Sequence, residues 1–430
     1  VATDTSKVAV QNRRLPFKLR LMAGRYWSFL GFTLPMALAV AAISLRTAWF
    51  GGTWQASAGD YTVYYAPAMN ALLDGHLGAF FANLPTNGAG GSVLLRAPFA
   101  LLGKALVGNQ LAIFRFGALA CLLSLGTLGL WLARDLRRRG VSISTRVGVV
   151  AICAGTPALL EAVFYGHPEE PLGAALAVAA VLMAGANRPI LAGTMLGAAI
   201  INKPWGVLVI GPVLLCAPGR RTSVLLPAGL IVGSWLLTAG LVDPSRLWLS
   251  AHGADTSIVA HPQNLWWPLA HMNGLYHVPP AVLAAHARQL AVVLALAVAA
   301  VLAVRANRSH KPLGTERCLA LLAFGFALRC LLEPSSHGYY QLPFVVALAA
   351  WESRARGSVT ISLTAAILLA LDFRRLEEVT AAIPFLLYLA VLLPVCALLL
   401  ASMFTSTADG SSLIRLLPRP RRVRIVTERS

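Results

Sequence analysis

The chain has 430 residues, 57% of them hydrophobic and 12% charged, with a mean hydropathy of +0.69. An ordinary soluble domain carries about 25% charged residues, so the composition excludes a soluble enzyme and indicates a membrane protein, in which each spanning helix needs ~20 mostly apolar residues. A net charge of +19 would suggest nucleic acid in a soluble protein, but in a membrane chain the placement of the basic residues carries the information.

In chain order, a basic N-terminus (1–26) leads into a first span predicted from Trp27 to Ala48, too long for a signal segment and without a clear small-residue cleavage site. A weakly apolar stretch then runs to Asn109 and reads as the first outer loop (49–109). Within it, Asp60 is followed by Tyr61, Tyr64, Tyr65, Ala68, Leu72 and Leu73 at helical spacing. That spacing predicts a helix lying in the membrane interface with its aromatic, apolar face down. Asp60 fits an N-cap there and equally a carboxylate held in place as a base.

Further spans are predicted at Asn109 to Ala133, Val147 to Phe164, Pro171 to Ala186, Ile190 to Ile201, Trp205 to Ala217, Val224 to Val242, Pro280 to Val304, Cys318 to Leu332, Leu342 to Trp351, Val359 to Leu371 and Ile383 to Phe404. The expected fold is therefore all-α and polytopic, with about twelve transmembrane helices in a domain covering 27–405 and a basic tail at 406–430. The two short segments flanking Asn202, Lys203 and Pro204 read as a re-entrant hairpin or as two short tilted spans. No internal repeat is evident.

With the N-terminus inside, 26 of the 36 Lys and Arg residues fall on inner segments. The positive-inside rule then places both termini in the cytoplasm, with the tail against anionic lipid. Eight of the nine histidines (His76, His167, His252, His261, His271, His277, His286 and His337) face outside in this layout, as do eleven of the seventeen acids. No targeting rule requires this, so the functional face is expected to be extracytoplasmic. The six cysteines lie in or beside apolar runs without a CxxC pair and read as small core residues.

Four clusters could carry chemistry besides Asp60. His167, Glu169 and Glu170 sit in a short outer turn, where they could bind a sugar or cation or simply cap the next helix. Lys203 needs an anionic partner, for which a phosphate or a neighbouring Glu would serve. The outer loop 243–279 is rich in His, Trp, Asn and Gln. Its Trp266 and Trp267 suit sugar stacking or an interfacial belt. Arg329 and Glu333 are spaced as an i,i+4 ion pair, and His337, Tyr339 and Tyr340 follow, placed to meet a substrate phosphate or hydroxyl. No GxGxxG turn, Walker loop or DxD motif for a nucleotide sugar is present.

These motifs, GDYTVYYAPAMNALLDGH around Asp60, SVLLRAPFALL around Arg96, YGHPEEPLGAAL around His167, INKPW around Lys203 and EPSSHGYYQLPF around His337, resemble the GT-C superfamily of membrane glycosyltransferases. Within it they most resemble glycosyltransferase family 87 and related actinobacterial polyprenyl-phosphate-sugar-dependent enzymes. The resemblance implies a GT-C-like bundle, a lipid-linked donor such as polyprenyl-phosphate mannose, and an acceptor hydroxyl on a glycolipid or cell-envelope glycan. It further implies a single inverting displacement in which Asp60 is the base. Lys203, His337 and Arg329 are the expected donor-phosphate residues, and His167, Glu169, Tyr64, Trp266 and Tyr340 the expected sugar or acceptor residues. No soluble cofactor and no nucleic acid are implied. Many GT-C enzymes carry two adjacent acids in the first loop, whereas Asp60 is followed here by Tyr61, which leaves metal dependence open. The rival expectation is a polytopic transporter or lipid flippase, for which outward ionisable groups would line a path; few of the charges fall at mid-span.

Overall fold

The computed structural model describes residues 32–55, 59–85, 88, 90–252, 262–270, 281–309, 313–333, 336–375 and 382–405. The basic N-terminus 1–26, the tail 406–430 and part of the loop 243–279, including His261, His271 and His277, lie outside the described residues. Those described form helices and turns, with no strand among them. The first part of the chain contains α1 (Leu34–Gln55), a π turn (Tyr61–Tyr65), α2 (Ala66–Leu73), α3 (Leu77–Ala82), α4 (Gly90–Leu106) and α5 (Gln110–Arg138). Next come α6 (Ile143–Gly155), α7 (Pro157–Phe164), α8 (Glu169–Gly185) and α9 (Pro189–Asn202), then a 3-10 turn (Pro204–Val209) running into α10 (Ile210–Cys216). The remainder comprises α11 (Arg221–Val242), α12 (Pro244–His252), α13 (Trp267–Ala270), α14 (Ala281–Ser309), α15 (Thr315–Leu332), α16 (Leu342–Arg356), α17 (Thr360–Arg375) and α18 (Ala382–Phe404).

Among the described residues, six segments are long and apolar enough to cross a membrane: Leu34–Gly51, Gln110–Arg138, Ile143–Phe164, Pro218–Val242, His286–Arg308 and Ala382–Phe404. The expected twelve are thus met by six on this measure, because α8, α9, α10, α16 and α17 are short and α15 carries Glu316, Arg317 and Arg329. These short helices are nonetheless central. α8, α15 and α16 are apolar around nearly their whole circumference and buried on nearly every side, as expected of helices enclosed by other helices. α5, α9, α14 and α18 pack around them. α11 and α14 turn Leu226, Leu230, Leu237, Leu241, Val293 and Val301 outward, an apolar surface suited to a hydrocarbon solvent rather than water.

Three expectations are corrected. The stretch expected as the first outer loop (49–109) holds a 17-residue helix, α4, lying along α5. The expected Val147 to Phe164 span is present as Ile143–Phe164 but is not one continuous helix: Thr156 is extended (ψ 147) ahead of Pro157, because a proline ring clashes with a helical residue before it. The segment after Asp60 has its expected helical character, but Tyr61 and Tyr65 are buried against protein, Tyr61 against Phe114 and Tyr65 beside His167. Their rings are therefore used in the core, whereas Tyr64 is exposed. The six cysteines are free, and five of them are buried.

The two ends of the bundle are chemically distinct. At one end, Arg139 bonds Asp135 at 3.0 Å and Glu316 at 3.1 Å, and Arg354 pairs with both acids. This ties the end of α5 to the start of α15 and the end of α16. The opposite end of α15 carries Arg329, thirteen residues from Glu316, or a rise of ~20 Å. α9 climbs to that second end and α10 returns, leaving Cys216 within 3.8 Å of Thr315 at the first. The climb depends on a close approach, since a Cβ on Gly91 of α4 would lie 2.2 Å from the Ile201 carbonyl oxygen of α9. Gly91→Ala is expected to destabilise the fold by about 1–3 kcal/mol, read as a lower melting temperature of the purified protein in detergent; an unchanged value would contradict this packing.

Candidate active site

The second end of the bundle gathers most of the buried charge among the described residues, and helix-stopping prolines help to place it. Lys203 is extended (ψ 142) before Pro204, and Glu333 leaves α15 extended (ψ 119) before Pro334. His167 precedes Pro168, the residue that caps α8. In each case the proline disfavours helix at the residue before it and a charged or polar side chain is left at a helix end.

Glu169 and Glu170 occupy the first turn of α8 and are fully buried. A helix N-terminus favours acids, but burying two carboxylates is unfavourable without cations. Lys203 Nζ supplies one, 3.3 Å from Glu169 Oε1 and 3.2 Å from Glu170 Oε1. Arg329 supplies the other, 3.3 Å from Glu170 Oε1, with its guanidinium over the rings of Trp205 and Tyr340 at 5.2 and 4.6 Å. Asn202 Nδ2 donates to the Glu169 carbonyl oxygen at 2.9 Å. The partner required by Lys203 is therefore, in this structure, the neighbouring glutamates.

His167 extends this cluster toward Asp60. Its Nδ1 lies 2.8 Å from Glu169 Oε1 and its Nε2 2.9 Å from Asp60 Oδ2. Tyr65 donates its hydroxyl to Glu169 Oε1 at 2.7 Å. Asp60 stands at the N-cap position of the π turn but makes no capping bond with its side chain; the carboxylate is turned to His167 instead. Its side chain is 48% exposed, while His167 and Glu169 are 6% and 0% exposed. One carboxylate is thus presented at the rim on a buried support.

Tyr339 stacks on His167 with centroids 4.6 Å apart and planes at 19°, and His337 stacks on Tyr339 at 5.3 Å and 7°. His337, partly exposed, ends this ladder, and Tyr340 meets both rings edge-on. The site therefore unites Asp60, His167, Glu169, Lys203, Arg329, His337 and Tyr340 from the sequence expectations. Tyr64 is exposed on the segment that carries Asp60. Trp266 is committed elsewhere, because its indole N–H donates to the Leu332 carbonyl oxygen at 2.8 Å and closes the end of α15. The expected Arg329–Glu333 pair does not form: Arg329 turns to Glu170, and Glu333 bonds Arg288 of α14 at 2.7 Å. Arg288 was missed from sequence, although a lone cation early in an apolar helix is a signal of its own.

Both His167 nitrogens face carboxylate oxygens, and both contacts are hydrogen bonds only when both nitrogens carry protons. Burial alone pushes this imidazole down, but the Glu169 charge and the hydrogen bonds it donates to Asp60 and Glu169 outweigh burial and the Lys203 charge, so it titrates above the ordinary histidine range. A raised value in the folded state means that the stabilisation is fully present below the unfolded value and is lost as pH rises through the folded one. The melting temperature is expected to fall as pH rises above the ordinary histidine value of about 6.5 by an amount that His167→Gln removes. An identical pH dependence in the variant would contradict the charged arrangement.

Among the described residues, no group of three or more His, Cys, Asp or Glu side chains is disposed to hold a metal ion. A family model for glycosyltransferase family 87 matches residues 91–334, more than half of the chain. The match takes in Arg96, His167, Glu169, Glu170, Lys203, Arg288, Arg329 and Glu333, and ends on either side short of Asp60 and His337. No curated protein and no solved structure matches the chain.

Proposed function

From the premise that the chain belongs to glycosyltransferase family 87 and is a membrane glycosyltransferase, we propose that it moves a sugar, most simply mannose, from a polyprenyl-phosphate donor to a hydroxyl of a glycolipid or cell-envelope glycan. The observation that carries this reading is the half-exposed Asp60 carboxylate fixed on buried His167. General-base catalysis needs a carboxylate within reach of the acceptor hydroxyl and held in one orientation. Asp60 Oδ2 is held by the imidazole, and Oδ1 takes the acceptor proton. The acceptor oxygen attacks the anomeric carbon as the bond from that carbon to the phosphate oxygen breaks, and its electron pair leaves with polyprenyl phosphate. The displacement inverts the anomeric centre.

Charge that develops on the leaving phosphate is stabilised by preorganised cations. Lys203 and Arg329 lie beside Asp60's support and are held rigid by Glu169 and Glu170. His337 and Tyr340 line the same approach at the end of the aromatic ladder, where a sugar ring or phosphate is received. The depth of the site supports a lipid-linked donor. The ~20 Å between the Glu316 and Arg329 levels is less than the ~30 Å of a hydrocarbon core. With the Asp135–Glu316–Arg354 layer at the cytoplasmic surface, as the positive-inside count assigns it, the carboxylates sit below the outer headgroups, where a polyprenyl phosphate reaches them from the bilayer. The segment after Asp60 and α4 then cover the site from the outside, with the about twelve helices of a GT-C-like bundle completed by the short ones.

Sugar transfer from synthetic polyprenyl-phosphate mannose to a membrane glycolipid extract, in nanodiscs, tests the proposal. The wild type is expected to transfer, and a folded Asp60→Asn protein to be slower by about 10²–10⁴-fold. Equal rates would remove Asp60 from the mechanism, and a wild type that consumes no donor of this kind would overturn the proposed chemistry.

A further inference from the structure

Three of the cations at this end of the bundle are matched to acids at bonding distance: Lys203 to Glu169 and Glu170, Arg329 to Glu170, and Arg288 to Glu333. Arg96, on α4, is different. It is 2% exposed and heads the fully buried side chains of the protein by volume, yet among the described residues no carboxylate lies within ion-pair distance of it. Its hydrogen bonds go to Ser92, one turn back on its own helix, from Nε to the carbonyl oxygen at 3.1 Å and from one terminal nitrogen to Oγ at 3.3 Å. Its guanidinium stands 5.3 Å from the centroid of the Tyr65 ring. A buried charge left in this way is strongly unfavourable unless some anion balances it.

Tyr65 supplies the connection. It is fully buried, with one side of its ring taken by Arg96 and its hydroxyl on Glu169 Oε1. Its ring lies edge-on to His167, 6.0 Å away. The same Glu169 oxygen accepts from Tyr65 and meets His167 Nδ1 and Lys203 Nζ. Arg96 and Glu169 are close enough for the Arg96 charge to stabilise the carboxylate. A line of contacts therefore runs from a buried cation, through an aromatic ring and a carboxylate, to the imidazole that holds the rim carboxylate.

We propose that Arg96 and Tyr65 are positioning residues for glycosyl transfer: together they hold Glu169 ionised and aimed at His167, and so set how tightly His167 grips Asp60. This rests on Asp60 being the base. The interaction of a cation with a ring face strengthens when it is desolvated, so the buried brace stays ordered without touching substrate. Two effects follow from its charge. Arg96 keeps negative charge on Glu169, and it opposes a further positive charge on His167. Without it the imidazolium would bind its proton more tightly, and Asp60, held by a charged partner up to a higher pH, would be the weaker base over that range.

The groups facing His167 are Asp60 from the turn ahead of α2, Tyr65 from the π turn, Glu169 from α8, Lys203 from the break after α9, and Tyr339 with His337 behind it from the segment before α16. Of the braces on this assembly, Arg96 can be neutralised while all of these remain. In a medium of effective dielectric ~20, one unit charge about a nanometre away shifts a titration by about one pH unit, which sets the scale of the expected change.

The test uses full-length protein in nanodiscs and two readouts on Arg96→Gln, Arg96→Lys and Tyr65→Phe. The first is the titration of His167, followed by NMR on protein labelled at histidine, its resonance assigned by its loss in His167→Gln. The second is the pH profile of transfer. Arg96→Gln is expected to move the His167 midpoint and the acid limb of the profile upward together by about one pH unit, with Arg96→Lys restoring most of both. Tyr65→Phe keeps the ring and the fold but drops the hydroxyl, and is expected to move both in the same direction by less. Unchanged midpoints in Arg96→Gln and Tyr65→Phe, with activity lost or not, would reduce the pair to packing and overturn the inference. If the His167 midpoint moves while the wild type transfers no sugar, the brace stands and it is the reading of Asp60 as a glycosyl-transfer base that fails.

Discussion

Everything at the functional end of this protein depends on two carboxylates, Glu169 and Glu170, buried at the start of a helix in the middle of the bundle. Isolated, they would be too unfavourable to ionise. Lys203, Arg329 and His167 make their burial tolerable, and each of the three is thereby fixed in place. The cluster is a poor way to gain stability, since a packed apolar core of the same volume would serve as well or better. What it provides is a rigid electrostatic floor on which one exposed acid, Asp60, stands. Removing any one partner would leave a charge uncompensated, so the residues act as a unit.

Helix length is the second determinant. A bundle made wholly of long spans would carry its polar ends to the membrane surfaces. Here the central helices α8, α9, α15 and α16 have only 14 to 18 residues; prolines after Lys203 and Glu333 stop α9 and α15, and Pro168 after His167 sets the start of α8. Their ends therefore stop within the height of longer neighbours, chiefly the 29-residue α5 and α14, and on the proposed reading form a recess. A recess of that depth lets a group carried on a lipid meet a group arriving from water, which is the geometrical demand of transfer from a polyprenyl phosphate to a polar acceptor.

Much of the site was legible in sequence because its residues sit at interruptions of apolar runs, where a charge has few structural reasons to be. Asp60, His167, Glu169, Lys203 and His337 were found that way, and the structure brings them to one end. Position within a run was a weaker guide. Arg96 and Arg288 lie inside helices that are otherwise largely apolar, and their partners Tyr65 and Glu333 are distant in sequence. Spacing misled at Glu333, since the i,i+4 relation holds only along a helix and Glu333 has already left it. The amphipathic pattern after Asp60 gave the helical period but not what its aromatic face would meet. Tyr61 and Tyr65 meet protein, and Tyr65 bonds Glu169. The number of spans was the least readable quantity, because helices of 14 or 15 residues are too short to register as crossings on their own.

The central claim is that a lipid-linked sugar reacts at this recess, with its phosphate against the Lys203 and Arg329 side and its anomeric carbon facing Asp60. The most direct measurement is a structure of the full-length protein in nanodiscs with a non-transferable polyprenyl phosphonate analogue of the donor. The account predicts phosphonate density beside Lys203, Arg329 and His337, with the sugar between it and the Asp60 carboxylate and the lipid chain leaving sideways into the bilayer. Headgroup density at the Arg139–Glu316 end, or anywhere out of reach of Asp60, would contradict it.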